Sequence, residues 1–401
     1  MRELLASRPY RLLFLAGFLS ELGTYISEVA ILMHIFELAG RQKEFLGITQ
    51  GVFLLLMVLG TLVGGVFGEG RAKKQILMGC EFARIPILAS MLAFSSSVWV
   101  LILGNGLIAF FSGAFNPTRQ ALMNELLPTH LLPKANSLFA TGFAFLHAAG
   151  PILGAVFFAY AQNLIPILQF DLLTYCVGIV LLARLSPPPP HPQQVGLSPA
   201  PGFLKDLGEG LGLLRKRPTF LWIFARCALA STALGIVIPL LLPMATEVLL
   251  LPDWAYGLLL GCFGIGGAFG SLILPKRLAV FSPERVLLRL VAFEALSLLL
   301  WSACFHPALS FLMAFVYGAL LFARIAFQLN YVSLQLPHAF NARANALIDL
   351  AMVVPNIAGA ALVAFAGRGL DTTRFLNATG LFFCGSVLLC WILEQRLRRI
   401  E

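Results

Sequence analysis

The stretch Ser186-Pro187-Pro188-Pro189-Pro190-His191-Pro192 stands at the middle of the chain and separates two strongly apolar halves. Consecutive prolines enter neither a helix nor a sheet and favour an extended backbone. A polar segment follows and ends at Arg215-Lys216-Arg217-Pro218. We therefore predict an N-terminal half at 1–185, a cytoplasmic linker at 186–217 and a C-terminal half at 218–401.

The composition of both halves is that of an integral membrane protein. Of the 401 residues, 59% are hydrophobic and 12% are charged, whereas a water-soluble domain carries about 25% charged residues. In a membrane protein, a net charge of +9 indicates loops that face anionic lipid, so we expect membrane lipid and no nucleic acid as a partner. The seven cysteines stand singly in apolar runs, which disfavours disulfides and zinc sites; we expect no metal and no cofactor.

Twelve apolar runs are long enough to span a bilayer, which takes about 20 residues of helix. Helices are favoured over a barrel because the runs far exceed the length of a barrel strand. The prediction is an all-α membrane protein with twelve transmembrane helices. The runs are 10–38, 45–68, 75–95, 98–125, 135–161, 164–184, 218–249, 254–275, 285–305, 307–335, 342–366 and 373–395.

An internal repeat relates the two halves. Single glycine matches mean little in a chain with 36 glycines, but one nearly constant offset in three separate regions indicates a duplicated six-helix unit. An even helix count leaves the two bundles parallel, as in one large class of secondary transporters. At an offset of 209 or 210 residues, the matches pair Arg8-Pro9 with Arg217-Pro218, Gly47 with Gly257, Gly51 with Gly261, Gly60 with Gly270, Ala135-Asn136 with Ala344-Asn345, and Gly150 with Gly359.

The positions of the basic residues predict the orientation. With the N-terminus inside, 20 of the 28 Lys and Arg residues fall in cytoplasmic segments and 4 fall outside. Because positive charge is retained on the cytoplasmic side, we expect both termini to be cytoplasmic. In the linker, Phe203, Leu204, Leu207, Leu211 and Leu214 share one helical stripe, which predicts a short helix on the inner membrane surface; a disordered linker is the alternative.

The residues and motifs above resemble those of the major facilitator superfamily, which has a basic loop after its second helix. The matching stretch here is Gly65 to Lys74, with an acid at Glu69 and with Gly70 where the superfamily has an arginine. The resemblance implies a cytoplasmic gate at this loop. We assign to the gate Glu69, Arg71, Lys73 and Lys74, together with Arg119 paired to Glu125 or Glu69.

Within the superfamily, the chain is similar to the bacterial branch that contains the enterobactin exporter and macrolide efflux proteins. The similarity implies a monomer in the bacterial cytoplasmic membrane. The chain departs from the branch after Gly23, where Thr24 stands in place of an aspartate. If that aspartate couples transport to protons in the branch, Glu21 or Glu28 is expected to do so here. The similar stretches are Phe18 to Gly23, Val29-Ala30, Glu81-x-x-Arg84, Phe115-Asn116-Pro117 and Pro133 to Leu138.

Few ionisable residues lie inside the predicted spans, and each costs at least about 2.5 kcal/mol at a helix centre, so they usually face a cavity or a partner. Glu21 and Glu28 are seven residues apart and therefore share one face of the first helix, and we expect Thr24 and Tyr25, which stand between them, to lie on the same side. Burial favours the neutral form of a carboxyl group, so alternating exposure to water makes such an acid a proton switch. We assign substrate binding and proton coupling to Glu21, Glu28, Thr24, Tyr25, Arg226, Asp349 and His147.

These assignments compete with plainer interpretations. Fixed ion pairs between helices are the alternative for the acids, above all for Asp171, Glu294 and Arg324, while Glu81 and Arg84 are expected to pair locally. His147 is either a proton shuttle or a packed, hydrogen-bonded side chain. Four phenylalanines are candidates for an aromatic wall around an amphipathic ligand: Phe143, Phe145, Phe322 and Phe327.

The sequence thus predicts a secondary active transporter that exports a small amphipathic organic compound, such as a drug or a siderophore, in exchange for protons by alternating access. An importer or facilitator is one alternative, and a non-transporting membrane sensor or lipid-handling protein is another. The chain has no phosphate-binding loop, no Gly-x-Ser-x-Gly and no His-Glu-x-x-His, which disfavours an enzyme or an ATP-driven pump.

Overall fold

The computed structural model describes residues 2–68, 73–186, 218–278, 281–335, 341–367, 369 and 371–397. The predicted linker helix and the loop residues Glu69 and Arg71 lie outside this part of the chain. Its long helices are α1 (Arg8–Leu38), α2 (Lys43–Gly68), α3 (Lys73–Ala93), α4 (Val98–Leu126), α5 (Leu132–Ala161), α6 (Ile165–Ala183), α7 (Pro218–Pro243), α8 (Ala255–Leu272), α9 (Pro283–Ser302), α10 (Pro307–Gln335), α11 (Asn341–Ala366) and α12 (Thr372–Leu397).

The all-helical prediction is confirmed: these residues form twelve long helices and no strand. Predicted and observed ends differ by three residues or fewer, except at the end of α7. Ten of the helices are long and apolar enough, over their described residues, to cross a bilayer. Of the other two, α9 carries Arg285, Arg289 and Glu294, and the described apolar part of α11 is the shorter stretch Leu350–Ala366.

Local sequence signals explain several helix ends. Pro9 lies in the first turn of α1 and Pro218 opens α7, as expected because proline has no N–H to leave unpaired there. The carboxylate of Asp371, just before α12, accepts hydrogen bonds from the backbone N–H groups of Thr373 and Arg374 at 2.8 and 3.1 Å. The bond from Arg374 is the main reason why the pKa of Asp371 is lowered.

The chain divides into two compact units. Unit 1 comprises Met1–Arg41 and Val52–Ala200, and unit 2 comprises Gln42–Gly51 and Pro201–Glu401. The first turns of α2 therefore belong to unit 2 and the rest of α2 belongs to unit 1.

The helices pack in the same pattern inside each unit. In unit 1, α1 packs against α5 and α6, and α3 packs against α4 and α6; in unit 2, α7 packs against α11 and α12, and α9 packs against α10 and α12. Each of these four pairs in unit 1 thus has its counterpart six helices later in unit 2. The packing pattern agrees with the duplication that the sequence repeat predicts.

Glycines allow the closest of these helix contacts. A Cβ at Gly60 of α2 would collide with the backbone of Phe110 in α4, and one at Gly270 of α8 would collide with the backbone of Ala319 in α10. A Cβ at Gly150 would likewise collide with the side chain of Tyr25 in α1, and one at Gly359 would collide with the backbone carbonyl of Thr232 in α7. Both pairs of glycines belong to the sequence repeat, so the repeated positions are sites of close helix approach.

Candidate functional site

The first helix carries polar side chains on two different faces. Glu21, Tyr25 and Glu28 follow each other at spacings of four and three, and so do Ser20, Thr24 and Ser27 one position earlier. Since each residue turns an α-helix by about 100°, the two triplets point in different directions. We call them the acidic face (Glu21, Tyr25, Glu28) and the hydroxyl face (Ser20, Thr24, Ser27).

On the acidic face, Glu21 is the most deeply buried ionisable group. Its side chain is 5% exposed, and its Oε1 atom has no hydrogen-bond partner among the described residues. Glu28, two turns further along, is half-buried. A buried carboxyl group without a partner is stable only in its neutral form, so this face can hold a proton.

The middle of the acidic face contacts α5. The hydroxyl of Tyr25 lies 2.7 Å from Nε2 of His147, and the two rings are 4.6 Å apart in an edge-to-face arrangement. Gly150, one turn after His147 in α5, leaves the space that the Tyr25 side chain occupies. The structure therefore joins Tyr25 and His147 in one hydrogen bond, whose donor depends on the tautomer of the histidine.

Arg119 of α4 lies at the start of the same face. Its guanidinium sits 4.3 Å from the ring centre of Phe139 and 4.6 Å from that of Phe143, both in α5. The missing side chain of Gly17, one turn before Glu21, makes room for it. Arg119 is 8% exposed, and its Nη1 atom has no hydrogen-bond partner in the described chain. Glu21 and Arg119 thus lie at the two ends of one turn of α1, and each has a buried polar atom without a hydrogen bond.

The hydroxyl face contacts α6 through Asp171. Oδ2 of Asp171 lies 2.6 Å from Oγ of Ser27 and 3.4 Å from the hydroxyl of Tyr175, which in turn lies 2.8 Å from Oγ1 of Thr24. The prediction that Thr24 shares a side with Tyr25 is therefore wrong. Thr24 faces α6 and Tyr25 faces α5, because one residue of helix separates them by about 100°.

A charged group from α3 completes the hydroxyl face. Nη1 of Arg84 lies 3.5 Å from Oε1 of Glu81, which confirms the predicted local pair. Ser20 donates a hydrogen bond to Glu81 at 3.1 Å, and Arg84 donates to Ser20 at 2.9 Å and to Ser112 at 2.8 Å. This pair ties α1, α3 and α4 together inside unit 1.

In unit 2, the cations assigned from sequence are paired with acids. Arg226 of α7 forms an ion pair with Glu394 of α12, an acid that was not assigned from the sequence, and the coupling role of Arg226 stays a prediction. Nε and Nη2 of Arg324 in α10 bind both carboxylate oxygens of Glu294 in α9, at 2.6 and 3.3 Å. The fixed ion pair is thus the right interpretation of Glu294 and Arg324. Asp349 lies in α11, but its side chain is outside the described part of the structure.

The predicted gate is arranged differently from the prediction. Nζ of Lys73 lies 2.7 Å from Oε1 of Glu125, so Glu125 pairs with Lys73 and not with Arg119. Lys74 donates a hydrogen bond to the backbone carbonyl of Ala183 at 2.8 Å. Arg119 lies instead over the aromatic rings of α5, where a guanidinium gains a cation–π attraction.

The four candidate phenylalanines lie in different surroundings within their own units. Phe145 is exposed, and the ring of Phe143 lies beneath the guanidinium of Arg119. The ring of Phe322 fills the space that a side chain at Gly267 would occupy, and Phe327 belongs to the core of unit 2. The residues that sequence reasoning missed are Ser20, Ser27, Tyr175 and Glu394. Two of them, Ser20 and Ser27 of α1, could have been found from the sequence, because together with Thr24 they recur at helical spacing within an apolar run.

Solved structures of transporters share this fold. A nucleoside transporter, NupG, is similar with a TM-score of 0.69 and 14% identity over 96% of this chain and 98% of that one. A peptide transporter, POT, in complex with sulfate has a TM-score of 0.73 and 13% identity over 100% and 99%. A bacterial homologue of the iron transporter ferroportin, in an inward-facing state, has a TM-score of 0.68 and 14% identity over 96% and 97%.

At such low identities the likeness shows the fold alone. No curated protein sequence matches the chain. The family description of the Major Facilitator Superfamily, however, matches residues 13–360. That match covers most of the twelve helices and agrees with the membrane-spanning composition, the all-helical fold and the repeated packing. The chain belongs to the major facilitator superfamily of multi-pass membrane transporters.

Proposed function

We propose that this protein is a secondary active transporter that exports a small amphipathic organic compound in exchange for protons. The halves 1–185 and 218–401 are its two moving parts, and it works in the bacterial cytoplasmic membrane with both termini inside. The family supports transport of a small molecule. The resemblance of the sequence to the enterobactin exporter and macrolide efflux branch supports export and the amphipathic substrate.

The observation that carries the proton coupling is the state of Glu21. The side chain of Glu21 is 5% exposed, and one of its oxygens has no hydrogen-bond partner among the described residues. In the charged form it would lose its hydration without replacement hydrogen bonds, which is far less unfavourable for a neutral acid. Glu21 therefore keeps a proton while it is dry and releases it when water reaches it. An acid whose charge follows its exposure to water is what proton exchange by alternating access requires.

The neighbours of Glu21 suit this role. Glu28 supplies a second acid on the same face, and the Tyr25–His147 pair lies between the two. Arg119, on the other side of Glu21, provides a positive charge that favours loss of the proton once water enters. The coupling role predicted for Arg226 stays part of the proposal; in the structure its guanidinium forms an ion pair with Glu394.

Transport by purified protein in liposomes tests the proposal. We expect an imposed pH gradient to drive movement of a fluorescent amphipathic dye, and the Glu21→Gln/Glu28→Gln variant to lose this dependence while its melting temperature stays close to that of the wild type. Glu3→Gln is the matched control, since Glu3 is an exposed acid near the N-terminus. Proton-driven transport at the wild-type rate by the double variant would contradict the coupling role.

The same preparation separates the alternatives. A panel that adds a nucleoside, a dipeptide and a ferric siderophore to the dye tests other substrate classes. Gradients of opposite sign distinguish an exporter from an importer, and movement without any gradient indicates a facilitator. A membrane sensor or lipid-handling protein would move none of the compounds in either direction.

A further inference from the structure

We propose that Asp171 is a second proton-binding carboxyl group of unit 1, held in its protonated form by the hydroxyl face of α1. This inference rests on the proposed function in one respect, namely that the proton on Asp171 takes part in the transport cycle. The site is distinct from Glu21 and Glu28, because it lies on the other face of α1 and in contact with α6.

Asp171 is closed off from solvent on every side that the structure describes. Its exposure is 0%. The backbone of α1 lies directly against it, since a Cβ at Gly23 would collide with Oδ1 of Asp171 and with Thr174. The titratable and charged groups near it are Tyr175 on its own helix and Glu81 and Arg84 of α3, while α1 presents only the hydroxyls of Thr24 and Ser27.

The charges around Asp171 balance without it. Arg84 is also fully buried, and its guanidinium binds Ser20, Ser112 and the carboxylate of Glu81. Among the described residues, Asp171 makes polar contacts only with Ser27, Thr174 and Tyr175, none of which is a cation. An ionised Asp171 would thus add a second buried negative charge beside a single arginine that already has a partner, and burial of such a charge is strongly unfavourable.

The hydroxyl hydrogens around Asp171 lead to the same conclusion. The hydroxyl of Thr24 can donate to the carbonyl of Ser20 at 3.1 Å, and Tyr175 is then the donor of the 2.8 Å hydrogen bond to Thr24. Thr174 donates to the backbone carbonyl of Asp171 at 2.7 Å. Ser27 is then the single short contact of the carboxyl group, since the 3.4 Å to Tyr175 is longer than an ordinary O–H···O bond.

A proton on Asp171 completes this arrangement. The acid donates to Oγ of Ser27 across 2.6 Å, and Ser27 donates in turn to the carbonyl of Thr24 at 3.1 Å. Every hydroxyl hydrogen then has an acceptor and no charge is left unpaired. Loss of the proton requires water between α1 and α6, so the protonation of Asp171 is linked to the separation of these two helices.

Infrared spectroscopy of the full-length protein tests the site without reference to transport. At neutral pH, we expect a carboxylic-acid C=O band from a protonated buried acid that Asp171→Asn removes and that Glu21→Gln/Glu28→Gln leaves in place. Asparagine suits the test because its amide N–H can donate to Ser27 as the acid does, so the variant should fold. A second variant, Ser27→Ala, should shift the band, since it removes the acceptor of the acid hydrogen. A spectrum unchanged by Asp171→Asn would overturn the assignment.

Transport tests the other part of the proposal. In liposomes, Asp171→Asn should lower the number of protons exchanged per substrate and flatten the dependence of the rate on pH. Wild-type proton exchange by this variant would overturn the role in the cycle. A failure of the proposed function looks different, because then no variant and no wild-type protein responds to a pH gradient, whereas the infrared band of Asp171 is still lost in Asp171→Asn.

Discussion

Some buried acids in the described chain have an arginine as ion-pair partner and others have none, and we propose that only the second kind takes part in proton exchange. In unit 2, Glu294 and Arg324 bind each other through two hydrogen bonds and are 0% and 2% exposed. In unit 1, Glu21 and Asp171 are buried, and neither forms an ion pair with a described residue. A fully paired acid gains nothing from a proton, whereas an unpaired one must carry it to remain buried.

Stability measurements on the paired acid test this distinction. We expect Glu294→Gln to lower the free energy of unfolding by about 3 kcal/mol, because it leaves the charge of Arg324 buried and uncompensated. The double variant Glu294→Leu/Arg324→Met should recover most of that loss, since an apolar pair of similar volume replaces a buried ion pair at little cost. Thermal unfolding in detergent provides the measurement, and a double variant less stable than the single one would contradict the interpretation.

Individual partners were the hardest feature to predict from sequence. Arg226 and Glu394 are 168 residues apart, and nothing in either segment indicates the other. Arg119 and Glu125 are six residues apart in α4 and therefore lie on different sides of that helix, so spacing alone disfavours their pairing, but the position of Arg119 over two rings of α5 depends on how the helices pack. The local pair of Glu81 and Arg84 was predictable, since helical spacing alone brings them together.

At the level of helices, sequence reasoning succeeded because bilayer thickness dictates their length. The spans were predictable from apolar runs, and the helix starts at Pro9 and Pro218 were visible as Arg-Pro pairs. The end of α7 was not. After Pro243 the chain continues as a π-helix, Met244–Val248, and proline, which lacks an N–H, disturbs the regular hydrogen bonding there. Hydropathy carries no information on such a change in helix type.

Close packing of α2 on α4 depends on single glycines. A second glycine of α2 that makes no such contact, Gly65, provides the control. Gly60→Ala places a methyl group against the carbonyl of Phe110, so we expect it to destabilise unit 1 by about 1–3 kcal/mol through overpacking. Gly65→Ala, five residues later in the same helix, meets nothing within 4 Å. It should leave the melting temperature unchanged or raise it, because alanine favours helix by up to about 1 kcal/mol. Equal effects of the two variants would show that the contact at Gly60 is unimportant.

Across the whole molecule, the two halves share a helix-packing pattern but differ in the charge of a buried residue at an equivalent position. Glu294 stands 210 residues after Arg84, at the offset that relates Gly60 to Gly270. Each of these charged residues is fully buried on the third helix of its unit and binds the following helix, Arg84 through Ser112 and Glu294 through Arg324. The repeat was predictable from sequence, but the opposite signs of these charges acquire meaning only once their partners are known.

One helix takes part in both units. The first turns of α2 pack in unit 2, where Nζ of Lys43 lies 2.8 Å from Oε2 of Glu247 and Thr372 donates a hydrogen bond to the same oxygen at 3.1 Å. Gly47 packs against the backbone of α11 at Ala360 and Ala364. From Val52 onward the same helix belongs to unit 1. If the two units move in alternating access, as we propose, α2 must bend or its first turns must leave α11.

A disulfide between α2 and α11 tests whether the two helices must separate during transport. A Cβ at Gly51 would lie 3.9 Å from the Cβ of Ala360, which is within the range of a disulfide. We expect oxidised Gly51→Cys/Ala360→Cys to lose transport in liposomes and to regain it after reduction, because the bond prevents α2 from leaving α11. Each single variant, treated with the same oxidant, is the control for the seven native cysteines. Full transport by the oxidised, cross-linked protein would show that α2 and α11 stay together throughout the cycle.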